Sequence, residues 1–208
     1  MDALTARFYD RYAADLSDAL ENRRSAMLPV VERTVPRASR VLDVGAGSGR
    51  DTAGMLAFGL EAYGIEPNAA MRAKACERFP ALQGRLREGL LPDLGHPFAD
   101  LCPEGFDAVV CSAVLMHVDA VQLPQALAAL ASQLRPGAGT AMLLSLPEMN
   151  AAMLIADRDG DGRRFHNHAP AEAEQHLAPL GFALQHAFVN DTVRISAGTR
   201  WHLLTFRR

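Results

Sequence analysis

Several residue types are scarce in this sequence, and each shortage argues against a class of protein. Lys74 is the only lysine, and with a formal net charge of −3 the chain has no general excess of basic residues for nucleic-acid phosphates. The three cysteines, Cys76, Cys102 and Cys111, are odd in number and lack C-x-x-C spacing, which argues against structural disulfides and a zinc site. No apolar run is of membrane length and no secretory signal is recognisable, so we expect a soluble, cytoplasmic protein.

The hydrophobic pattern predicts one α/β domain. With 208 residues, of which 49% are hydrophobic, the chain can bury one sizeable core. Apolar segments that resemble strands alternate with helical patterns, which is typical of a doubly wound parallel sheet. The expected strands lie near 40–45, 61–66, 84–88, 106–111, 139–146, 182–189 and 198–207. The expected helices lie near 4–20, 23–34, 51–59, 68–78, 121–134 and 170–180.

A glycine-rich turn follows the first of these strands. Residues 40–44 are mostly apolar, as in a strand that is buried on both faces. Gly45, Gly47 and Gly49 then lack Cβ atoms at a point where the backbone has to turn sharply and approach a ligand closely. Because a helix is expected directly after Gly49, its free N–H groups point back towards the turn. We therefore predict that this corner binds a nucleotide.

Spacing separates two classes of nucleotide site. A dinucleotide fingerprint, G-x-G-x-x-G, needs a third glycine at the position that Arg50 occupies here. The pattern is instead D-x-G-x-G-x-G, with Asp43 two residues before the first glycine. A carboxylate at that point repels a pyrophosphate and suits a ligand that carries an ammonium group. An NAD-dependent oxidoreductase is therefore the weaker alternative, and a turn with a purely structural role is another.

A second acidic residue follows at the distance that nucleotide-binding folds require. Residues 62–65 are expected to form the second strand, and Glu66 at its end lies about twenty residues after the glycine turn. A carboxylate there can accept hydrogen bonds from both ribose hydroxyls of an adenosine. The alternative role for Glu66 is helix capping or a solvated surface position. Pro67 fixes the turn that follows, and Met71 lies one helical turn further along.

The two acidic residues and the three glycines resemble the first motifs of the class I S-adenosylmethionine-dependent methyltransferases. The resemblance implies a Rossmann-like, seven-stranded sheet of order 3-2-1-4-5-7-6 with the last strand antiparallel. It also implies S-adenosyl-L-methionine as cofactor and a small-molecule acceptor that takes the methyl group by in-line displacement. One methyltransferase domain over residues 1–208 would carry an N-terminal helical lid at 1–38 and a substrate-side loop at 147–170. Membrane and nucleic-acid partners are not expected.

Later segments extend the resemblance. Gly89 and Leu90 resemble the third-strand motif, although the acid, Glu88, precedes the glycine here. Residues 105–118 resemble the fourth strand and the loop after it, which in this family faces the methionine part of the cofactor. The cofactor-binding residues that the resemblance implies are Asp43, Gly45, Ala46, Gly47, Gly49, Asp51, Glu66, Pro67, Met71, Gly89, Leu90, Ser112 and Ala113.

The acceptor side is less constrained, because alignment of the reactants and exclusion of water supply most of the catalysis. A general base is useful only if the acceptor must lose a proton, and His117 after the fourth strand is the first candidate. His166 and His168 follow as candidates in the substrate-side loop. For each histidine the alternative is an ordinary structural role.

Three regions are candidates for binding the acceptor. Tyr9 and Tyr12 are three residues apart and share a face of the first helix. The substrate-side loop contains basic residues that suit an anionic or hydroxylated acceptor, namely Arg163, Arg164, His166 and His168. The closing hairpin contains a polar and aromatic cluster, namely Asp191, Arg194, Arg200, Trp201 and His202. Half-buried strands often have such a composition for structural reasons alone.

The substrate-side loop also contains half of a calcium-binding motif. Residues 157–162 match positions 1 to 6 of an EF-hand loop, with aspartates at positions 1, 3 and 5 and glycine at position 6. Position 12 is His168 where an EF-hand has a bidentate glutamate, so two ligand oxygens are lost. We therefore predict a polar loop on the acceptor side and no metal ion. A regulatory or partner subunit that binds the cofactor without turnover is the alternative function.

Overall fold

A computed structural model of the chain describes residues 1–16, 25–190 and 199–208. Seven strands form one sheet, with helices on both of its faces. The strands are β1 Arg40–Val44, β2 Glu61–Ile65, β3 Leu86–Arg87, β4 Ala108–Ser112, β5 Ala141–Glu148, β6 Ala183–Asn190 and β7 Arg200–Arg207. The α-helices of the described part are α1 Ala3–Asp15, α2 Leu28–Thr34, α3 Arg50–Phe58, α4 Ala69–Arg78, α5 Leu123–Ser132 and α6 Pro170–Leu177.

The strand order confirms the predicted topology. β1 pairs in parallel with β2 and β4, and β5 pairs in parallel with β4. β7 runs antiparallel between β5 and β6, which gives the order β3-β2-β1-β4-β5-β7-β6. Because the chain continues from β1 towards β2 and from β4 towards β5, the two connections leave in opposite directions. A crevice therefore opens at the carboxyl ends of β1 and β4, where doubly wound folds bind ligands.

Both faces of the sheet are covered, which explains why the central strands are continuously apolar. Leu42 of β1 packs into the cluster on one face, whereas its neighbour Val41 packs into the cluster on the other. Helix α5 covers the first face through Leu127, and α3 covers the second through Met55. Burying a side chain of this size stabilises the fold by about 1.5–3 kcal/mol relative to leaving it exposed.

The elements differ from the expected ones mainly at their ends. Helix α1 ends at Asp15, before the residue 20 that the apolar pattern indicates. Helix α2 begins at Leu28 instead of near residue 23, with Pro29 in its first turn, where a missing N–H costs little. Strand β3 has two residues instead of five, because it pairs only with the last two residues of β2. Within the described residues, no helix has the length and apolar character needed to span a membrane.

Candidate active site

The glycine turn brings β1 against the loop that follows β4. The backbone N–H groups of Gly45 and Ala46 donate to the Ile65 carbonyl oxygen, at 2.8 and 2.9 Å, and tie the turn to the end of β2. Gly45 and Gly47 have φ angles of 82° and 54°, in the left-handed region that favours glycine. A Cβ atom on Gly45 would lie 2.1 Å from Cγ2 of Val114. Close packing of the β4 loop on the turn therefore requires glycine at this position.

Three other residues of the predicted cofactor site contact protein groups near the turn. A Cβ atom on Gly49 would lie 2.9 Å from Cβ of Ala75, so this glycine lets α3 and α4 pack closely. Asp51 pairs with its neighbour Arg50 at 3.2 Å. Ala46 is buried. None of Ala46, Gly49 and Asp51 lines the cleft that the following paragraphs describe.

Asp43 is buried at the end of β1 and does not line the cleft either. Its carboxylate accepts a hydrogen bond of 2.7 Å from the Thr52 hydroxyl in the first turn of α3. Burial, reinforced by the negative charge of Asp51, raises the pKa of Asp43 to about 7. The carboxylate therefore joins α3 to β1.

Glu66 lines the cleft at the end of β2 and is only 7% exposed. One carboxylate oxygen accepts from the Gly47 N–H at 3.0 Å, and the other accepts from the Asn68 N–H at 2.8 Å. These bonds orient the side chain and leave each oxygen a further lone pair for a ligand. Burial raises the pKa of Glu66, whereas the two backbone donors and Arg72 act to lower it. The arrangement suits a ligand with two adjacent hydroxyl groups.

The cleft continues from Glu66 along Pro67, Gly89 and Leu90. A Cβ atom on Gly89 would lie 2.5 Å from a side-chain carbon of β2, so glycine is needed where the chain passes that strand. Leu90 is 41% exposed, whereas Met71 is buried and does not line the cleft. Glu88, the displaced acid of the third-strand motif, pairs with Arg72 at 3.1 Å, away from the lining.

The end of β4 contributes backbone to the cleft through Ala113. Its N–H donates to the Ser145 hydroxyl at 2.8 Å, and the Ser112 hydroxyl lies 3.1 Å from the same atom. Ala113 has a φ of 59°, a conformation that costs about 1–3 kcal/mol for a residue with a Cβ and that is common at ligand sites. Of the two predicted contacts on this strand, Ala113 lines the cleft and Ser112 does not.

His117 and Tyr9 form a hydrogen-bonded pair in the lining of the same cleft. Nδ1 of His117 lies 2.6 Å from the Arg164 carbonyl oxygen. Because a carbonyl oxygen only accepts, Nδ1 carries the hydrogen, and Nε2 accepts from the Tyr9 hydroxyl at 3.0 Å. Burial lowers the pKa of His117 and raises the pKa of Tyr9 to about 12. Both side chains are therefore neutral at physiological pH.

The substrate-side loop uses its charged residues mostly within the protein. The Arg163 guanidinium lies 4.4 Å from the centre of the Phe8 ring and 2.6 Å from the Asp159 carboxylate. Nε2 of His166 lies 3.0 Å from the Asp119 carboxylate. Neither Arg163 nor His166 lines the cleft, so the second predicted base is not brought together with His117.

His168 is 4% exposed and packs under the segment that follows β4. Its Nε2 lies 3.0 Å from the carbonyl oxygens of both Leu115 and Val118, and burial lowers its pKa. These contacts replace the predicted contact between His168 and the acceptor, because the ring is closed off from the cleft.

The remaining acceptor candidates also contact other protein groups. The Tyr12 ring stacks on Phe8 with ring centres 5.7 Å apart, whereas Tyr9 turns to the cleft. The Arg200 guanidinium lies 3.5 Å from the Glu148 carboxylate on the neighbouring strand. Asp191 and Arg194 of the same predicted cluster lie outside the described residues.

The EF-hand-like loop is held by its own hydrogen bonds. One carboxylate oxygen of Asp159 accepts from the backbone N–H groups of Asp161 and Arg163, at 3.1 and 2.9 Å, and the other pairs with the Arg163 guanidinium. In the part of the chain that the structure describes, no three histidine, cysteine, aspartate or glutamate side chains are grouped to hold a metal ion.

The complete cleft encloses about 670 Å³, counting its open mouth. Motif reasoning missed its apolar wall, because single apolar residues in a sequence give no signal beyond core packing. Four of these residues directly adjoin residues that the motifs identify, namely Val44, Leu91, Val114 and Val118. The missed residues are Met1, Val44, Leu91, Val114 and Val118.

Sequence comparisons identify the family of the chain. The profile of a family described as a methyltransferase domain matches residues 8–190, which is most of the chain. An uncharacterized methyltransferase of Geobacillus kaustophilus is 26% identical over 201 residues, a match that covers 88% of this chain and 90% of the relative.

Solved methyltransferase structures share the fold. The 1,6-didemethyltoxoflavin-N1-methyltransferase of Burkholderia thailandensis, with 1,6-didemethyltoxoflavin and S-adenosylhomocysteine bound, is 21% identical, with a TM-score of 0.69 over 99% of this chain and 88% of that one. The magnesium protoporphyrin IX methyltransferase of Synechocystis, with S-adenosylhomocysteine bound, is 18% identical, with a TM-score of 0.65 over 99% and 84%. With the family profile, the strand order and the glycine turn in agreement, the chain belongs to the class I S-adenosylmethionine-dependent methyltransferases.

Proposed function

We propose that this protein transfers a methyl group from S-adenosyl-L-methionine to a small-molecule acceptor. The observation that carries the proposal is one cleft whose lining contains both Glu66 and the Tyr9–His117 pair. A carboxylate suited to ribose and a neutral imidazole suited to accepting a proton thus face the same space. Methyl transfer needs this proximity, because the rate depends on holding the donor and the acceptor in line.

The residues of the cleft fit the adenosine part of the cofactor. Glu66 would accept from the two ribose hydroxyls, with its carboxylate already oriented by the Gly47 and Asn68 N–H groups. Preorganisation of this kind lowers the entropy lost on binding. Gly89 and Leu90 would border the adenine ring, since both continue the lining from Glu66.

The middle of the cleft fits the methionine part. Gly45 and Gly47 keep Cβ atoms out of the space beside the turn, and Ala113 adds backbone from the end of β4. The carboxylate of Asp43 lies behind this turn and would favour a positively charged ligand there. When bound, S-adenosylmethionine supplies an electrophilic methyl group on a sulfonium cation.

On the acceptor side, His117 would take the proton that the acceptor loses. The Arg164 carbonyl holds the hydrogen on Nδ1, so that the lone pair of Nε2 points to the Tyr9 side. Burial keeps the imidazole neutral and therefore ready to accept a proton. Val114 and Val118 line this part of the cleft and would exclude water from the reacting atoms.

Two observations support a small acceptor. The cleft encloses about 670 Å³ with its mouth included, and the cofactor takes part of that space. The structurally similar Burkholderia thailandensis enzyme holds 1,6-didemethyltoxoflavin together with S-adenosylhomocysteine. Both favour an organic molecule of moderate size over a macromolecular acceptor.

Calorimetric titration and label transfer together test the function. We expect S-adenosylmethionine and S-adenosylhomocysteine to bind and NAD not to bind; tighter binding of NAD than of S-adenosylhomocysteine would contradict the assignment. With methyl-labelled cofactor, label should pass into the small-molecule fraction of a cell extract. Label only in the macromolecular fraction would exclude a small acceptor, and binding without any transfer would favour the non-catalytic alternative.

A further inference from the structure

The ionisable groups of the cleft are few. Among the described lining residues, the ionisable side chains are Glu66, Tyr9 and His117, and burial favours the uncharged form of each. If Glu66 binds ribose, the acceptor side presents no carboxylate for a cationic acceptor and no basic side chain for an anionic one.

The arginines around the acceptor side are already paired with carboxylates of the protein. The Arg163 guanidinium lies 2.6 Å from the Asp159 carboxylate and stacks over Phe8. The Arg164 guanidinium lies 3.0 Å from the Asp119 carboxylate. Arg158 lies 3.0 Å from Asp2. In each pair a carboxylate that the protein itself supplies offsets the arginine charge, which makes the arginine a weaker site for an anionic acceptor.

The polar group that faces the acceptor is the Tyr9 hydroxyl. Nε2 of His117 is occupied by that hydroxyl at 3.0 Å, and Nδ1 is occupied by the Arg164 carbonyl oxygen at 2.6 Å. An acceptor therefore meets the imidazole through the Tyr9 oxygen. The Arg163 guanidinium also donates a hydrogen bond to this oxygen, which leaves one of its two lone pairs for the acceptor.

We infer that the acceptor is an uncharged, largely apolar molecule whose phenol-type hydroxyl donates to the Tyr9 oxygen, with His117 as the base behind Tyr9. The inference rests on the proposed methyl transfer. The acceptor proton passes to the Tyr9 oxygen as the Tyr9 proton passes to Nε2. A lone pair of the acceptor oxygen forms the new bond to the methyl carbon, the O–H bonding pair stays on that oxygen as its proton leaves, and the pair of the broken sulfur–carbon bond stays on sulfur.

Charge balance favours this path. The sulfonium charge disappears as the imidazolium charge forms, so the buried site never gains a net charge. A phenol-type hydroxyl has a pKa of about 10, much closer to that of imidazole than an aliphatic alcohol, and a neutral histidine is effective for protons of that acidity. A carboxylate acceptor needs no base, and an ammonium acceptor finds no carboxylate on this side.

Three naphthalene derivatives that are similar in shape but differ in charge test the acceptor class. Each is added to the protein saturated with S-adenosylhomocysteine, and their affinities are compared. By equilibrium dialysis, 2-naphthol should bind about tenfold or more tightly than 2-naphthoate or 2-naphthylmethylammonium, because burying an unpaired charge is costly. If 2-naphthol binds no more tightly than either ion, the inference is wrong. Absence of S-adenosylhomocysteine binding in the first step would instead reject the proposed function.

A second measurement tests Tyr9 itself. In the parent protein 2-naphthol should bind several-fold more tightly than naphthalene, about threefold to tenfold for one neutral hydrogen bond. Tyr9→Phe should remove this difference while S-adenosylhomocysteine affinity stays the same, and Tyr12→Phe on the same helix should preserve it. If the difference persists in Tyr9→Phe, the hydroxyl binds elsewhere and the role given to Tyr9 is wrong.

Discussion

Burial without a complete counter-charge shifts the pKa values of three side chains around the cleft. Burial raises the pKa of Asp43 to about 7, raises that of Glu66 and lowers that of His117. In each case the ligand-free protein disfavours the charged form. The directions of the Asp43 and His117 shifts decide whether the stability of the fold rises or falls with pH.

Asp43 should make the ligand-free fold less stable as pH rises. Its folded pKa of about 7 lies above the usual value of 3.8, so the folded state binds more protons than the unfolded chain between these values. Compared with Asp43→Asn, whose amide oxygen still accepts from Thr52, the parent should lose about 4 kcal/mol of unfolding free energy between about pH 4 and pH 8. Urea unfolding at several pH values measures this. A constant difference between the two proteins would contradict the raised pKa of the buried Asp43 carboxylate.

His117 should remain neutral to a lower pH than a free histidine. Burial is the main cause, and the Arg163 charge acts in the same direction, whereas the Arg164 carbonyl, Asp159 and Asp2 oppose it. Stability that depends on the neutral ring is present above the usual pKa of 6.5 and is lost as pH falls through that value towards the folded pKa. NMR titration of labelled imidazoles should show His117 with Nδ1–H at neutral pH and a midpoint below 6.5. A midpoint above that value would exclude the burial that we describe.

Glu66→Ala should weaken cofactor binding far more than folding. The ribose hydroxyls would lose charge-assisted hydrogen bonds, typically about 1.5–3 kcal/mol, which corresponds to roughly tenfold to a hundredfold in affinity. Calorimetric titration with S-adenosylhomocysteine gives the dissociation constant, and circular dichroism checks the fold. Glu88→Ala, which removes an exposed acid outside the cleft, is the matched control. Equal S-adenosylhomocysteine dissociation constants for the two variants would show that Glu66 does not bind the cofactor.

At the scale of elements, α1 is attached to both sides of the cleft. Asp10 accepts from the Asn68 side chain at 2.7 Å, next to Glu66. At the other end of the helix, Arg158 donates to Asp2 at 3.0 Å, and the Arg164 backbone N–H donates to the Thr5 hydroxyl at 3.0 Å. The helix and the substrate-side loop are thus one hydrogen-bonded lid that holds Tyr9 beside His117.

Asp2→Ala should loosen this lid. Asp2 caps α1 through the N–H groups of Leu4 and Thr5, and its bonds to Thr5 and Arg158 outweigh burial and hold its pKa below the usual range. Loss of an N-cap costs about 1 kcal/mol. Amide hydrogen exchange should therefore become faster across residues 3–15 and stay unchanged in the sheet. Asp15→Ala, at the last residue of α1, should have little effect; equal exchange in both variants would contradict the capping role.

Sequence patterns located these elements well, and their ends less well. The strand β1 and the turn after it were predictable because an apolar run, an acid and three glycines occur in a fixed order. The short β3 was not, because its length depends on how far β2 extends beside it. Likewise, the helical pattern of residues 4–12 does not indicate that Asp10 reaches Asn68, 58 residues further along the chain.

At the scale of the whole molecule, ligand binding should stabilise the fold as a unit. The cleft is lined from the ends of β1 and β2 and from the loop after β4, so a bound molecule connects the centre of the sheet. S-adenosylhomocysteine at about 100 times its dissociation constant should add about 2.7 kcal/mol of unfolding free energy. That corresponds to a rise of about 5–10 °C in Tm for a chain of this size. Thermal unfolding measures it, and Glu66→Ala at the same ligand concentration should show most of the rise lost.

The sequence by itself determined the family, because its motifs depend on local order along the chain: a buried strand, a glycine turn, an acid at the end of the next strand. Through the resemblance to that family it also predicted the sheet order. Tertiary structure decided which polar residues reach the cleft. Tyr9 and His117 are 108 residues apart and meet only when α1 packs over the sheet, whereas His166 and His168, equally plausible as bases in the sequence, bond to Asp119 and to backbone carbonyls. Spacing predicts contacts only within one element or between adjacent strand ends, and a long loop can place a side chain against any of several partners.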